Sequence, residues 1–251
     1  MSVYIFGDSF SCRYDNCYYD GEIGDLWYDI IERKLKTKVI NKSEGGKGPY
    51  SAFKIFYEIV EKNKITNDDK IIFMLSSKYR IPFPFLKDNQ LGEDHIDTFI
   101  SKGTLEEDVK EFIENHSYDI LMNYTIFKPE IDRFNVKNLY FLKSFSQLKE
   151  IQTICFLCFE NYDFDIYDFQ KLNDNFFRVH HEVLWDITAK ENTTMNPWVD
   201  TIDNQRANHL SYSNHKILSN IIINFFESKN LSERFHKNIF TKHKSENFLY
   251  E

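Results

Sequence analysis

Three features of this chain have residue types, in an order along the sequence, that can do chemistry. Ser9 lies two residues past a strand-ending glycine in VYIFGDSFSC, Gly45 and Gly46 form a glycine pair, and His209 lies in NHLSYSNH. A serine hydroxyl is a poor nucleophile at its own pKa and needs a base within hydrogen-bond reach. Histidine is the usual base because it titrates near neutrality. The oxyanion that forms when a carbonyl is attacked needs donors. A glycine loop can bring a backbone N–H close because no Cβ stands in the way. Together these parts describe nucleophilic attack by a serine on a carbonyl carbon.

The elements around them must bring the three together. Val3 to Phe6 is a run of large apolar residues stopped by Gly7-Asp8-Ser9, which reads as a short buried strand. A polar, Tyr-rich loop follows. Asp25 is then placed to cap a helix running to about Leu35, with Leu26, Ile30, Ile31 and Leu35 on one face. KVINKS reads as a second strand and GGKGP as a turn. Pro49 opens a helix from about Tyr50 to Asn63, and NDDKIIFML is a turn with a third strand. This β-α-β-α-β order predicts an α/β protein with a parallel sheet. In such sheets the crevice outside the carboxyl ends of the strands is where ligands bind, and Ser9 falls there.

Further along, residues 80–103 read as a loop, and Thr104 to about Leu121 and Ile131 to Lys149 as helices. ICFLCF is a fourth strand. Ile166 to Ala189 is mixed and partly helical, residues 191–209 form a long polar loop, and Tyr212 to Phe226 is a last amphipathic helix. With no internal repeat and no low-complexity linker, residues 1–227 read as one domain. Residues 80–149 are a loop and helical insertion or cap on it, and 228–251 a charged tail.

GDSF, then Asn41-Lys-Ser-Glu-Gly-Gly46, then a histidine block before the final helix resembles the SGNH (GDSL-type) hydrolases. Blocks like Ser76-Ser77-x-Tyr79-Arg80 and NHLSYSNH are also similar to those of divergent SGNH-type proteins from phages and viruses. The resemblance implies a three-layer α/β/α, flavodoxin-like fold and cleavage of acyl esters. A small acyl group on a carbohydrate is the first substrate it suggests, and no cofactor is implied. It implies Ser9 as nucleophile, the Ser9 and Gly46 N–H groups as oxyanion donors, and His209 as base, with Asp8 among the substrate-binding residues. His215 is expected to be structural.

Two positions depart from the family pattern. Where Gly-x-Asn-Asp is expected after the third strand, the chain has Leu75-Ser76-Ser77-Lys78-Tyr79-Arg80. A Ser76 or Ser77 hydroxyl then has to stand in for the missing amide, and Arg80 is available to an anionic group. Arg206 occupies the place of the aspartate expected three residues before the histidine, which leaves Asp203 or Asp200 to loop back and orient His209. A Ser-His dyad supported by the backbone or Asn208 is the other arrangement. Three functions stay open on these residues: ester hydrolysis, acyl transfer to a hydroxyl, and a degenerate SGNH fold that only binds.

Bulk properties narrow the classes. A net charge of −8 argues against nucleic-acid binding by general electrostatics. No apolar run approaches the ~20 residues of a membrane span, and no leader pattern follows Met1, so a cytoplasmic protein is expected (virion or host cytoplasm if viral). Cys12, Cys17, Cys155 and Cys158 lack zinc-site spacing and read as reduced thiols. Adjacent His180 and His181 diverge too far on a helix to share one metal ion. Tyr14, Tyr18 and Tyr19 read as loop packing, with an aromatic cleft near the nucleophile as the alternative.

Overall fold

In the computed structural model the residues described are 1–13, 17–19, 22–45, 47–77, 133–159, 171–180, 183–184, 208, 210 and 212–228. Of 17–19, 22, 23, 212, 213 and 228 only the backbone is described. The strands are β1 (Ser2–Gly7), β2 (Cys17–Tyr19), β3 (Glu22–Gly24), β4 (Lys38–Asn41), β5 (Lys70–Leu75), β6 (Gln152–Leu157) and β7 (Phe177–His180). The helices are α1 (Trp27–Leu35), α2 (Pro49–Glu61), α3 (133–149) and α4 (Tyr212–Ser228).

Five strands form one sheet in the order β4-β1-β5-β6-β7, with every neighbouring pair parallel. Counted in chain order these strands run 2-1-3-4-5, the flavodoxin-like arrangement. The chain steps from β1 out to β4 and then crosses back to β5 on the other side of β1. That reversal makes the β1–β5 boundary the topological switch point.

Strand side chains alternate between two faces, and the core splits accordingly. Val3, Ile5, Ile72, Met74, Ile154 and Phe156 point to one face, where α1 and α4 cover them with Trp27, Ile31, Leu218, Ile222 and Phe225. Tyr4, Phe6, Ile71, Phe73, Cys155 and Leu157 point to the other, where α2 and α3 contribute Phe53, Phe56, Leu139 and Leu142. The aromatic surplus packs this second layer. Phe73 stacks on Phe6 and on Phe53 with ring centroids 5.0 Å apart, and Phe56 meets both Phe6 and Phe73 edge-on at 5.5 Å. The result is mixed α/β in three layers.

Several elements differ from the sequence expectation. The Tyr-rich segment holds a two-stranded antiparallel hairpin, β2–β3, with Tyr19 paired to Glu22. The intervening sequence is Asp20-Gly21, a pair that favours two-residue hairpin turns. The partly helical reading of 166–189 misses β7, a four-residue edge strand whose start is tied down by Asp174 and Asn173 side chains accepting from Phe176, Phe177 and Val179 N–H groups. The part of the expected insertion that is described, 133–149, packs on the sheet as a helix within the connection from β5 to β6. Asp25 does not cap α1: Leu26 is the N-cap, and Asp25 pairs with Arg33 instead. The α1 amino terminus is satisfied from across the molecule by the buried His215 Nδ1, which accepts from Trp27 N–H at 3.1 Å. The expected helix at 104–121 and the tail from 229 lie outside the described residues. Among the described residues no helix is long and apolar enough to cross a membrane.

Neither Cys155 nor Cys158 forms a disulfide, and their side chains fall in opposite core layers. Full burial pushes the Cys155 thiol well above its ordinary value, so it stays protonated and inert. Native protein treated with Ellman's reagent at pH 8 should therefore react at half-exposed Cys12, while Cys155 and Cys158 react only on unfolding. Peptide mapping by mass spectrometry checks this, and prompt labelling of Cys155 in folded protein would contradict the packing described.

Candidate functional site

β1 ends at the switch point, and the side chain that its last residue lacks decides where the backbone can go next. A Cβ built on Gly7 lands 2.5 Å from the Met74 carbonyl oxygen, 2.7 Å from Met74 Cβ and 2.6 Å from Ser11 Oγ. Only hydrogen fits there. The chain can therefore fold back immediately as one tight turn over the ends of β1 and β5. The Asp8 carbonyl accepts from Ser11 N–H at 2.9 Å and Cys12 N–H at 2.7 Å, and Asp8 Oδ1 accepts from Phe10 N–H at 3.0 Å. Asp8, Phe10 and Ser11 are buried, whereas Ser9 is partly exposed. Asp8, expected beside the substrate, is shielded from solvent and builds the turn.

The loop after β4 leaves alongside this turn. Lys42 N–H donates to the Ile5 carbonyl at 2.8 Å and Glu44 N–H to the Gly7 carbonyl at 3.1 Å, carrying the parallel ladder past the last paired residues. Asn41 then links the two loops. Its Nδ2 donates to the Ser11 carbonyl at 2.6 Å and its Oδ1 accepts from Ser43 N–H at 3.0 Å. Ser11 Oγ donates to Ser43 Oγ at 2.8 Å. Cys12 Sγ lies 3.5 Å from where a Gly45 Cβ would stand, so the glycine loop leans on the serine turn. Gly46 itself lies outside the described residues.

On the other flank, Gly7 is opposite Met74, so Ser9 and Ser76 each lie two residues past a paired position. Ser76 and Ser77 are buried at the carboxyl end of β5, next to the strand that carries Ser9. Phe159, just past β6, meets Phe10 edge-on at 5.1 Å and closes that side.

The carboxyl-terminal segment reaches the same turn. Asn208 is buried and held at φ 55°, and its Nδ2 lies 2.9 Å from both the Ser9 and the Cys12 carbonyl oxygens. The sequence suggests Asn208 as a partner for the histidine. Its amide nitrogen faces the serine turn, and His209 itself lies outside the described residues. Two further donors complete the ring: Trp27 Nε1 to the Phe10 carbonyl at 3.1 Å and Tyr28 OH to the Cys12 carbonyl at 3.2 Å. Neither residue carries a sequence signal for this role beyond being aromatic at the start of a helix.

Of the expected site residues, Ser9, Asp8 and Ser77 are thus gathered at one end of the sheet. His209, Asp203, Asp200 and Arg80, the aromatic rings of Tyr14, Tyr18 and Tyr19, and His181 lie outside the described residues. His180 packs against Phe156 in the core, and among the described residues no three His, Cys, Asp or Glu side chains are grouped to hold a metal.

Gly7→Ala should lower stability by about 3 kcal/mol, because the new methyl meets backbone that cannot move without parting β1 from β5. Gly45→Ala, where the nearest atom is at ordinary contact distance, should stay within about 0.5 kcal/mol of the parent. Urea unfolding of both variants makes the comparison, and equal midpoints would contradict the tight approach at Gly7. No protein-family model, no curated protein and no solved structure matches this chain.

Proposed function

We propose that this protein is a serine-dependent esterase of SGNH type that cleaves an acyl ester, with Ser9 as nucleophile and His209 as general base. One observation carries the reading. The side chain of Asn208, 199 residues away in sequence, donates to the carbonyl of Ser9, and His209 is the next residue in the chain. A nucleophile and a base distant in sequence are what a serine hydrolase has to bring together.

In this mechanism His209 takes the Ser9 hydroxyl proton as Oγ bonds to the ester carbonyl carbon. The carbonyl π electrons move to oxygen, and the resulting oxyanion is held by the Ser9 and Gly46 N–H groups with the Ser77 hydroxyl as a third donor. Collapse expels the alcohol, which leaves with the proton from His209. Water then attacks the acyl-serine, with His209 again accepting the proton, and releases the acid. Asp203 is the candidate to orient His209, and Arg80 to meet an anionic group on the substrate. Buried Ser76 and Ser77 suit a donor role, because a hydroxyl shielded from water is a stronger partner for developing charge. A small acyl group on a carbohydrate hydroxyl is the substrate class to test first.

Purified protein should hydrolyse p-nitrophenyl acetate and be labelled at Ser9 by a fluorophosphonate. Ser9→Ala should lower kcat/KM at least about 1,000-fold, and Ser77→Ala about 100-fold through the lost donor. Labelling without turnover of simple esters would point to acyl transfer by the same residues. No labelling of folded protein would sink both enzymatic readings.

A further inference from the structure

We infer that Asn208 is a positioning residue for the nucleophile turn, setting where Ser9 stands relative to the segment that carries His209. The inference rests on the esterase reading above. Three observations single the residue out. Its φ of 55° is in the left-handed region, which Asn tolerates better than most residues but which still carries strain. Its Oδ1 is buried and has no hydrogen-bond partner among the described residues, at a desolvation cost. Its Nδ2 nonetheless bridges two carbonyls of one turn, those of Ser9 and Cys12, each at 2.9 Å.

Only the nitrogen end of the amide can face two carbonyl oxygens, so its orientation is set by the contact itself. The two acceptors lie three residues apart, both within the turn from Asp8 to Cys12 that the Asp8 carbonyl closes. A donor shared between them holds that turn to the 208 segment in both position and tilt. Strain and a buried carbonyl without a partner among the described residues are poor choices for stability alone. They are consistent with a residue retained for the geometry it imposes. Asn208 touches no reacting atom in this scheme, and it acts through Ser9.

Asn208→Gly separates the contributions, because glycine accepts the left-handed backbone and removes only the amide. The expected result is a 10- to 100-fold fall in kcat for p-nitrophenyl acetate with KM unchanged, and an equal fall in the rate of fluorophosphonate labelling. Ser146→Ala serves as the stability control, since it removes a buried hydroxyl bonded to Leu142 and Thr153 on the far side of the sheet. It should lower the unfolding midpoint and leave kcat as it was. If the glycine variant does not fold, Asn208→Ser keeps one donor and should show a smaller fall in the same two rates. A folded variant that labels at the parental rate overturns the positioning role while leaving the esterase reading intact. A parent protein that neither labels nor turns over ester takes both down.

Discussion

The arrangement at the carboxyl end of the sheet depends on one steric allowance, the missing side chain at Gly7. With Met74 backbone on one side and Ser11 on the other, any larger residue would push the chain outward before it could turn. With hydrogen there, five successive carbonyls, Asp8 to Cys12, are gathered over the switch point, and each needs a donor in a region largely closed to water. The Asp8 carbonyl takes two N–H groups from within the turn. The other four are reached by Asn208, Trp27, Asn41 and Tyr28. Those side chains come from the 208 segment, the first turn of α1 and the end of β4. The turn thus sets a demand for donors that distant parts of the chain meet, and meeting it draws them to the same end of the sheet.

The same logic ties α1 to α4. Helix α1 begins without a side-chain cap of its own, so its first N–H groups look elsewhere. His215 on α4 supplies an acceptor, while apolar residues of both helices fill one core layer. Acting as acceptor at Nδ1, the neutral imidazole carries its proton on Nε2. Helix packing and polar satisfaction therefore fix the same pair of helices. Asn208 and His215 lie within one short stretch, so the segment that braces the serine turn is held by the helix that braces α1.

How much of this could be read from the sequence depends on range. The long apolar runs of β1, β5 and β6, and the Pro49 start of α2, are local signals, and they give the α/β architecture. Ser9 and the glycine loop were legible because strand ends and breakers are local too. β7 was not, since Phe-Arg-Val-His is four residues long and stands as a strand only because β6 pairs with it. Asp25 looks like a cap by position, but Arg33 claims its carboxylate and a histidine 188 residues from Trp27 takes over the helix end. The donors to the serine turn belong to this second kind. Nothing in the types Trp27, Tyr28 or Asn41 announces which carbonyl they will meet, because the partner exists only once the sheet has formed.

That dependence bears on what kind of site this can be. On the proposed reading Ser9 is the nucleophile, and a nucleophile on a free loop would sample many positions, at a conformational-entropy cost for holding it at the moment of reaction. Here that cost is met on folding, when the turn is closed by its own N–H groups and its outer carbonyls are fastened to α1, β4 and the 208 segment. Within the turn Ser9 stays partly exposed, with its neighbours Asp8 and Phe10 buried. The departure after β5 falls on the same boundary. Ser76-Ser77 follows the strand whose Met74 crowds Gly7, so its hydroxyls are carried by backbone fitted closely against β1. If the proposed reading holds, a side chain shorter than asparagine can serve as an oxyanion donor only where its backbone is held that closely. On the proposed esterase reading, the contact that requires glycine at position 7 also supports serine at 77 as the third donor.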